Sequence, residues 1–275
     1  MKKFITHLFL KFPMKVIVTS EKEMASVNMW NYFLEHFDFK EQGEYDGHPT
    51  YKYRDFLLVM SKRGIIYIDD LDDYFDPEYY IFASPHESER GVPCLTVHPI
   101  GNFGKAEMGG RERELGTCHS LLMKGLALEL KTRNLTQFPV SLEVTHHGPT
   151  SLRKPVVFVE IGSSKSEWCD EKAIETVCSA ILEGKIAKGK SAIGFGGPHY
   201  APNFTRRELD TELAFGHMCP KYHLDNLDAE LTEQMIEKTV PRPEIAILDW
   251  KGMKREQREK VVKILEEMGV EWEKI

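Results

Sequence analysis

The run Leu142-Glu143-Val144-Thr145-His146-His147-Gly148-Pro149-Thr150 sets a carboxylate and two adjacent imidazoles where an apolar strand gives way to a Gly-Pro turn. A packed interior has little use for such groups, so the run reads as the wall of a polar site. Other histidines also close short apolar or glycine-rich runs: His86 after Ala83-Ser84-Pro85, His98 after Leu95-Thr96-Val97, and His199 after Gly196-Gly197-Pro198. Imidazole is the commonest zinc ligand, and a catalytic zinc takes about three protein groups plus a water whose pKa falls to about 7. His86, His146 and His199 are the expected ligand triad, with Glu87, Glu143 or Glu160 as carboxylate ligand or base. No HExxH segment sets them in register, so the fold must bring them together.

Neighbouring strand residues face opposite sides, so only one of His146 and His147 is expected in the pocket unless the strand has already turned. Glu143 shares its face with Thr145 and His147 in an ideal strand. His217, Cys219 and His223, spaced HxCx3H, resemble half of a structural zinc site, though no second cysteine pair completes it. Lys221 and Tyr222 suit a phosphate or a nucleobase equally well. Gly194-Phe195-Gly196-Gly197 does not extend into GxGxxG, and Ser84, Ser88 and Ser163 lack a GxSxG elbow.

The elements that must position these residues are legible from periodicity. Val16–Val18 reads as a buried strand and Met24–Phe37 as a helix, and Asp46-Gly47 marks a hairpin turn. Strands are expected at Phe56–Met60, Ile65–Ile68, Tyr79–Ala83 and Leu95–His98, then a glycine-rich loop over 99–117 of the length that often covers a site. Helices are expected at Cys118–Leu130, Asp170–Ile186 and Thr205–Phe215, and a last one carries Val261, Ile264, Leu265 and Met268. Strands at Val140–Val144, Val156–Ile161, Ser191–Phe195 and Ile245–Leu248 alternate with them, and 216–223 reads as irregular. The alternation predicts an α/β fold, a single domain with a mixed, largely parallel central sheet carrying helices on both faces. In such sheets ligands gather outside the carboxyl ends of the strands, where the histidines fall.

Composition narrows the classes. The chain has 275 residues, 41% of them hydrophobic, enough for a sizeable core. Net charge is -7, so no global basic field points to DNA, and an RNA partner needs a local patch such as Arg111 with Arg113, Arg153-Lys154, Lys185 to Lys190 or Arg206-Arg207. Five cysteines without a CxxC pair indicate a reducing, cytoplasmic setting. No run is long enough to span a bilayer. Residues 1–13 read as a non-native or loose extension, with Met14 as the natural start of a domain over 14–275. Abundant Lys and Glu beside few Asn and Gln hint at a thermophilic source.

Several runs together resemble the archaeal and plant type of D-aminoacyl-tRNA deacylase. They are Ser84-Pro85-His86-Glu87-Ser88, Thr96-Val97-His98-Pro99-Ile100-Gly101-Asn102-Phe103, Glu143 to Thr150, Phe158-Val159-Glu160-Ile161-Gly162-Ser163-Ser164, Gly196-Gly197-Pro198-His199-Tyr200, and Gly216-His217 with Pro220-Lys221-Tyr222. The resemblance covers nearly all of the chain from Met14. It implies hydrolysis of the ester between a D-amino acid and tRNA, a zinc requirement, and a fold related to peptidyl-tRNA hydrolases and phosphorylases. Within the pocket read from the strand ends, Glu143 and His147 are expected to be catalytic, and His86, His146 and His199 to bind zinc. His98, Asn102, His217, Lys221 and Tyr222 are expected to surround the amino acid and terminal adenosine. Arg153, Lys154, Arg206 and Arg207 are expected on the acceptor stem, and a monomer with no DNA or membrane partner is expected. The rival readings are a metal-dependent amidohydrolase, a non-haem iron dioxygenase, and a non-catalytic RNA-binding module whose histidines only stack or hydrogen-bond.

Overall fold

In the computed structural model, which describes residues 14–89 and 91–275, the β-rich first half forms one large sheet. Its strands are β1 (Lys15–Ser20), β2 (Lys40–Tyr45), β3 (His48–Tyr53), β4 (Phe56–Ser61), β5 (Tyr79–Glu87) and β6 (Cys94–His98). A short strand β7 (Cys118–His119) lies outside it, and β8 (Val140–Leu142) and β9 (Val156–Ser163) complete it. The order is β2-β3-β4-β1-β5-β9-β6-β8. The centre is parallel through β4, β1, β5 and β9, while β6 runs antiparallel to β9. Period-2 alternation sorts the side chains. Ile17, Ile81, Val157 and Val159 face one side, and Val16, Val18, Tyr80, Phe82, Val156 and Phe158 face the other.

The first side is covered by α1 (Met24–His36), α2 (Ser120–Arg133), the single-turn α3 (Lys165–Trp168) and α4 (Glu171–Glu183). Helix α4 is well specified. Asp170 caps it by accepting from the Ala173 amide, and Ala173, Ile174, Val177, Cys178, Ile181 and Leu182 are buried along its stripe. The second side departs from the expected helical cover. It carries Ile65, Ile68 and Leu71 from two 3-10 turns, with Ile100 and Leu152. The expected strand at Ile65–Ile68 is therefore a 3-10 turn over Ile65–Tyr67 whose apolar residues cap the sheet rather than extend it.

The large mixed sheet is the expected central sheet, and beside it stands a second, all-parallel sheet, which was not expected. It comprises β10 (Lys190–Phe195), β11 (Leu213–Cys219), β13 (Ile245–Leu248) and β14 (Trp272–Lys274) in the order β11-β10-β13-β14, while β12 (Thr239–Val240) pairs with β7. Helix α5 (Pro202–Asp210) ends before Phe215, and the stretch expected to be irregular is β11. Gly216 hid that strand, because its Cα packs against the Thr239 side chain where a Cβ has no room. Helices α6 (Ala229–Glu237) and α7 (Arg255–Glu267) cover the outer face of this sheet, and α2 lies between the two sheets. The 99–117 loop has only isolated bridges, as expected. Residues 1–13, read from sequence as an extension, lie outside the described residues. Among the described residues no helix is long and apolar enough to cross a membrane.

Candidate active site

The helix-free face of the large sheet carries the polar cluster at its strand ends. In β9, Val156 and Phe158 point to that face, and two residues on so does Glu160, flanked in register by Ser84 of β5 and Thr96 of β6. His86, the next-to-last residue of β5, lies opposite Gly162, where any Cβ would collide with the His86 ring and Cys94 Sγ. His98 ends β6 and stacks on Phe158 at 5.1 Å between ring centroids. Strand β8 stops at Leu142, and Glu143-Val144-Thr145 crosses to the second sheet. The amide of Val144 donates to the His199 carbonyl and that of Thr145 to the Met218 carbonyl, both at 3.0 Å.

Here the chain has already turned, so the strand-parity expectation does not apply. His147 has φ 44°, in the left-handed region, and both rings lie with His98: the centroids of His146 and His147 are 4.4 Å apart and those of His98 and His146 4.2 Å. The 99–117 loop clamps this turn. Gly101 and Gly148 amides donate to the carbonyls of His147 and Met108, and a Cβ on Gly148 would meet the backbone of Gly109 and Gly110.

Glu143, wholly buried, is the hub. Oε1 lies 3.0 Å from His86 Nδ1, in ion-pair range yet without hydrogen-bond alignment, so this buried oxygen has no hydrogen bond. Oε2 accepts from His199 Nε2 at 2.9 Å and lies 3.4 Å from His146 Nε2. Glu160 lies 3.4 Å from His86 and 3.5 Å from His98. Three ring nitrogens are anchored on carbonyls: Nδ1 of His98 on Pro99 (3.1 Å), of His146 on Val144 (2.7 Å) and of His147 on Gly148 (2.7 Å). A carbonyl only accepts, so each Nδ1 carries its hydrogen, and in a neutral ring Nε2 keeps a lone pair.

Charge follows from this packing. Burial disfavours a proton on His86, but Glu143 and Glu160 outweigh it and push its pKa up to about 12. His98 is raised too, Glu160 overcoming its burial. Burial, with the charge on His98, drives His146 well below the usual imidazole range and His147 down to about 4. Burial opposes ionisation of both carboxyls. Even so, His199 and His86 hold Glu143 well below the carboxylate range, and His98 with His86 brings Glu160 to about 2. At neutral pH two carboxylates are balanced by two imidazoliums, while His146 and His147 are neutral.

The ligand-type atoms fall into groups. Those of His86, Glu143 and His199 lie within 4.8 Å of one another, as do those of His98, His146 and His147, and of His98, Glu143 and Glu160. Of the triad read from sequence, His86 and His199 group with Glu143, and His146 joins the other histidines. A cleft of about 440 Å³, lined by His86, Glu87, Ser88, Glu89, Pro198, His199 and Tyr200, opens onto the cluster. His146 is 22% exposed, whereas His147 is buried behind it. Tyr222 is exposed, its hydroxyl 3.3 Å from His199 Nδ1, and neighbouring Lys221 is exposed as well. Asn102 is inside the loop, donating to the carbonyls of Gly109 and Arg111.

His217 is fully buried, bonded to Thr145 Oγ1 at 3.1 Å and the Gly116 carbonyl at 2.9 Å, and burial lowers its pKa to about 3. It braces the Thr145 turn from behind. Cys219 lies in the apolar core beneath the second sheet, and no metal-type group among the described residues joins His217, Cys219 and His223, so the half-zinc-site reading fails. Sequence reasoning missed Tyr200, whose hydroxyl is 2.9 Å from His86 Nε2, and Trp168, whose Nε1 donates to the His86 carbonyl. Glu160 had a legible signal, a lone carboxylate in the apolar run Val156-Val157-Phe158-Val159-Glu160-Ile161.

A protein-family model described as D-aminoacyl-tRNA deacylase matches residues 73–273, a span that contains every residue of this cluster. The chain belongs to the D-aminoacyl-tRNA deacylase family. A D-aminoacyl-tRNA deacylase of Thermococcus kodakarensis is 39% identical over 270 residues, covering 94% of this chain and 99% of the relative. One from Ignicoccus hospitalis is 42% identical over 194 residues, 70% of this chain and 79% of the relative. A crystal structure described as a conserved protein of unknown function superposes with a TM-score of 0.88 at 35% identity, covering 95% of each chain. That solved structure shares the α/β architecture from which the cluster is built.

Proposed function

We propose that this protein hydrolyses the ester between a D-amino acid and the terminal ribose of tRNA, releasing the free D-amino acid and tRNA. The observation that carries this reading is the match to named deacylases over nearly the whole chain, coinciding with one buried His/Glu cluster open to a cleft. An aminoacyl ester is already reactive, so the demand on the cleft is to admit the D stereocentre and exclude the L.

The donor set fits zinc. Glu143 Oε1 and His98 Nε2 are buried without a hydrogen bond, and a neutral His146 turns a lone pair toward Glu143 Oε2 with no hydrogen between them. Backbone carbonyls fix the orientation of three imidazoles, the usual outer-shell arrangement of metal-ligating histidines. Residues that would hold zinc are His86, Glu143 and His199 in one group, and His98, His146 and His147 in another. Zinc bound there would supply a water of lowered pKa and polarise the ester carbonyl.

The chain's own residues set up the rest. With the metal in the His86, Glu143 and His199 group, His146, neutral and 22% exposed, is left to take a proton at Nε2, and the adjacent Glu143 carboxylate steadies the charge that follows. His147 supports that ring from beneath rather than meeting the ester. Arg153 and Lys154 pair with Asp72 and Asp76, so they have little charge to offer the acceptor stem. Among the described residues Arg206 and Arg207 of α5 make no ion pair, which leaves their charge free for the acceptor stem.

The test is hydrolysis of matched D- and L-aminoacyl-tRNA by the parent and His146→Ala, with and without chelator. The reading expects D-selective turnover, a loss of at least 100-fold in the variant, and chelator sensitivity. Equal rates on both enantiomers would remove the proofreading assignment, and full activity after chelation would remove zinc.

A further inference from the structure

A second pocket, of about 560 Å³, adjoins the catalytic cleft and shares one wall with it, Tyr200. The two cavities differ in chemistry. The cleft is rimmed by Glu87 and Glu89 beside His86 and His199. The second pocket is built from Val92, Pro139, Val140 and Leu209, with exposed Arg206 at its edge. Lys131 and Asp210 also border it, 3.8 Å apart and paired with each other, which leaves Arg206 as its uncompensated charge. The dividing wall is fixed at both ends: the Tyr200 hydroxyl is 2.9 Å from His86 Nε2, and its carbonyl accepts from Ser141 Oγ at 2.6 Å.

The substrate has the same two-part character about its ester. On the acyl side is an α-ammonium, suited to a rim of carboxylates. On the alcohol side is a nucleoside with a flat apolar base and a 5′-phosphate, suited to an apolar pocket with one free guanidinium. Base stacking on an aromatic side chain and phosphate contact by arginine are the general means of holding single-stranded RNA.

We infer that this second pocket seats the 3′-terminal nucleoside of tRNA, its base between Tyr200 and Leu209 and its 5′-phosphate on Arg206. The inference rests on the deacylase reading, to which it adds the site of the leaving group. With the nucleoside on one side of Tyr200 and the amino acid on the other, the ester lies beside that wall, next to His86 and His199. Arg206 is a binding residue in this scheme, and Tyr200 is a positioning residue that sets the His86 ring.

The experiment uses 5′-phosphorylated CCA trinucleotide, titrated calorimetrically into the parent, Arg206→Ala and Leu209→Trp, alongside steady-state hydrolysis of D-aminoacyl-tRNA. Saturable binding to the parent is expected, weakened about tenfold by Arg206→Ala, with the salt slope of log affinity falling by about 0.7 for the lost phosphate contact. Leu209→Trp, which fills the pocket, should abolish binding, and both variants should raise KM more than they lower kcat. Arg206 is solvent-exposed, so its variant keeps the test decisive even if Leu209→Trp fails to fold. Equal trinucleotide binding by all three proteins, or none by a parent that hydrolyses D-aminoacyl-tRNA, overturns the inference and leaves the deacylase reading standing. Binding that follows the expected pattern in a parent without deacylase activity upholds the nucleoside site and removes the deacylase reading.

Discussion

Glu143→Gln keeps the shape of the hub side chain and deletes its charge. In the parent the carboxylate has no solvent exposure and touches His86 at 3.0 Å and His199 at 2.9 Å. Removing one partner of a buried pair costs about 3–5 kcal/mol. His86 retains Glu160 at 3.4 Å, which places the expected loss near the lower end, about 3 kcal/mol at neutral pH. The pH dependence has a definite sign. His86 is raised from 6.5 to about 12 on folding, so its contribution is fully present below pH 6.5 and declines towards pH 12. The steepest decline is about 1.4 kcal/mol per pH unit. Glu143 is lowered from 4.5, so its contribution is present above that value and lost as pH falls through its folded pKa. The gap between parent and variant is therefore widest around pH 4.5 to 6.5 and narrows in acid and in alkali. Urea unfolding followed by tryptophan fluorescence, in chelator from pH 4 to 10, reads this as a midpoint shift of about 1 M at its widest. A gap below about 1 kcal/mol, or one that ignores pH, would refute the ion-paired hub.

Two further outcomes test other parts of the molecule. Glu208 is buried in α5 with Oε1 unbonded, and burial raises its pKa to about 8 despite Lys124, so its contribution is present below pH 4.5 and lost as pH rises through 8. Glu208→Gln should flatten the fall in thermal midpoint between pH 5 and pH 9, and an unchanged fall would show that the carboxyl stays ionised. A Cβ on Gly125 of α2 would press into the Lys185 carbonyl oxygen, so Gly125→Ala should cost about 1–3 kcal/mol, several degrees in midpoint by circular dichroism. An unaltered midpoint would mean that the helix shifts freely.

What the sequence disclosed depended on whether the signal was local. Helix α4 was legible because its stripe is written in thirteen consecutive residues with the cap, Asp170, just before them. Strand β11 was not, since Leu213-Ala214-Phe215-Gly216-His217-Met218-Cys219 carries no alternation when both faces are buried and glycine interrupts it. The split into two sheets is a matter of which strands pair, and strand pairing is not encoded in periodicity. In the site, His86, His98, His146 and His199 stood out because each closes an apolar or glycine-rich run, while the place of Glu143 at the centre was settled by contacts with residues distant in the chain. His217 shows the reverse case: a histidine inside β11 that braces the Thr145 turn and is buried.

The hub draws its partners from β5, β9, the turn after β8 and the turn after β10, and β6 can take its place in the sheet only once β9 has been made. Contacts of such long sequence separation form late in folding. A chain still emerging from the ribosome, with His199 not yet made, lacks the imidazole that bonds Glu143 Oε2. The carboxylate and imidazole cluster is therefore complete only once the chain has been made as far as His199.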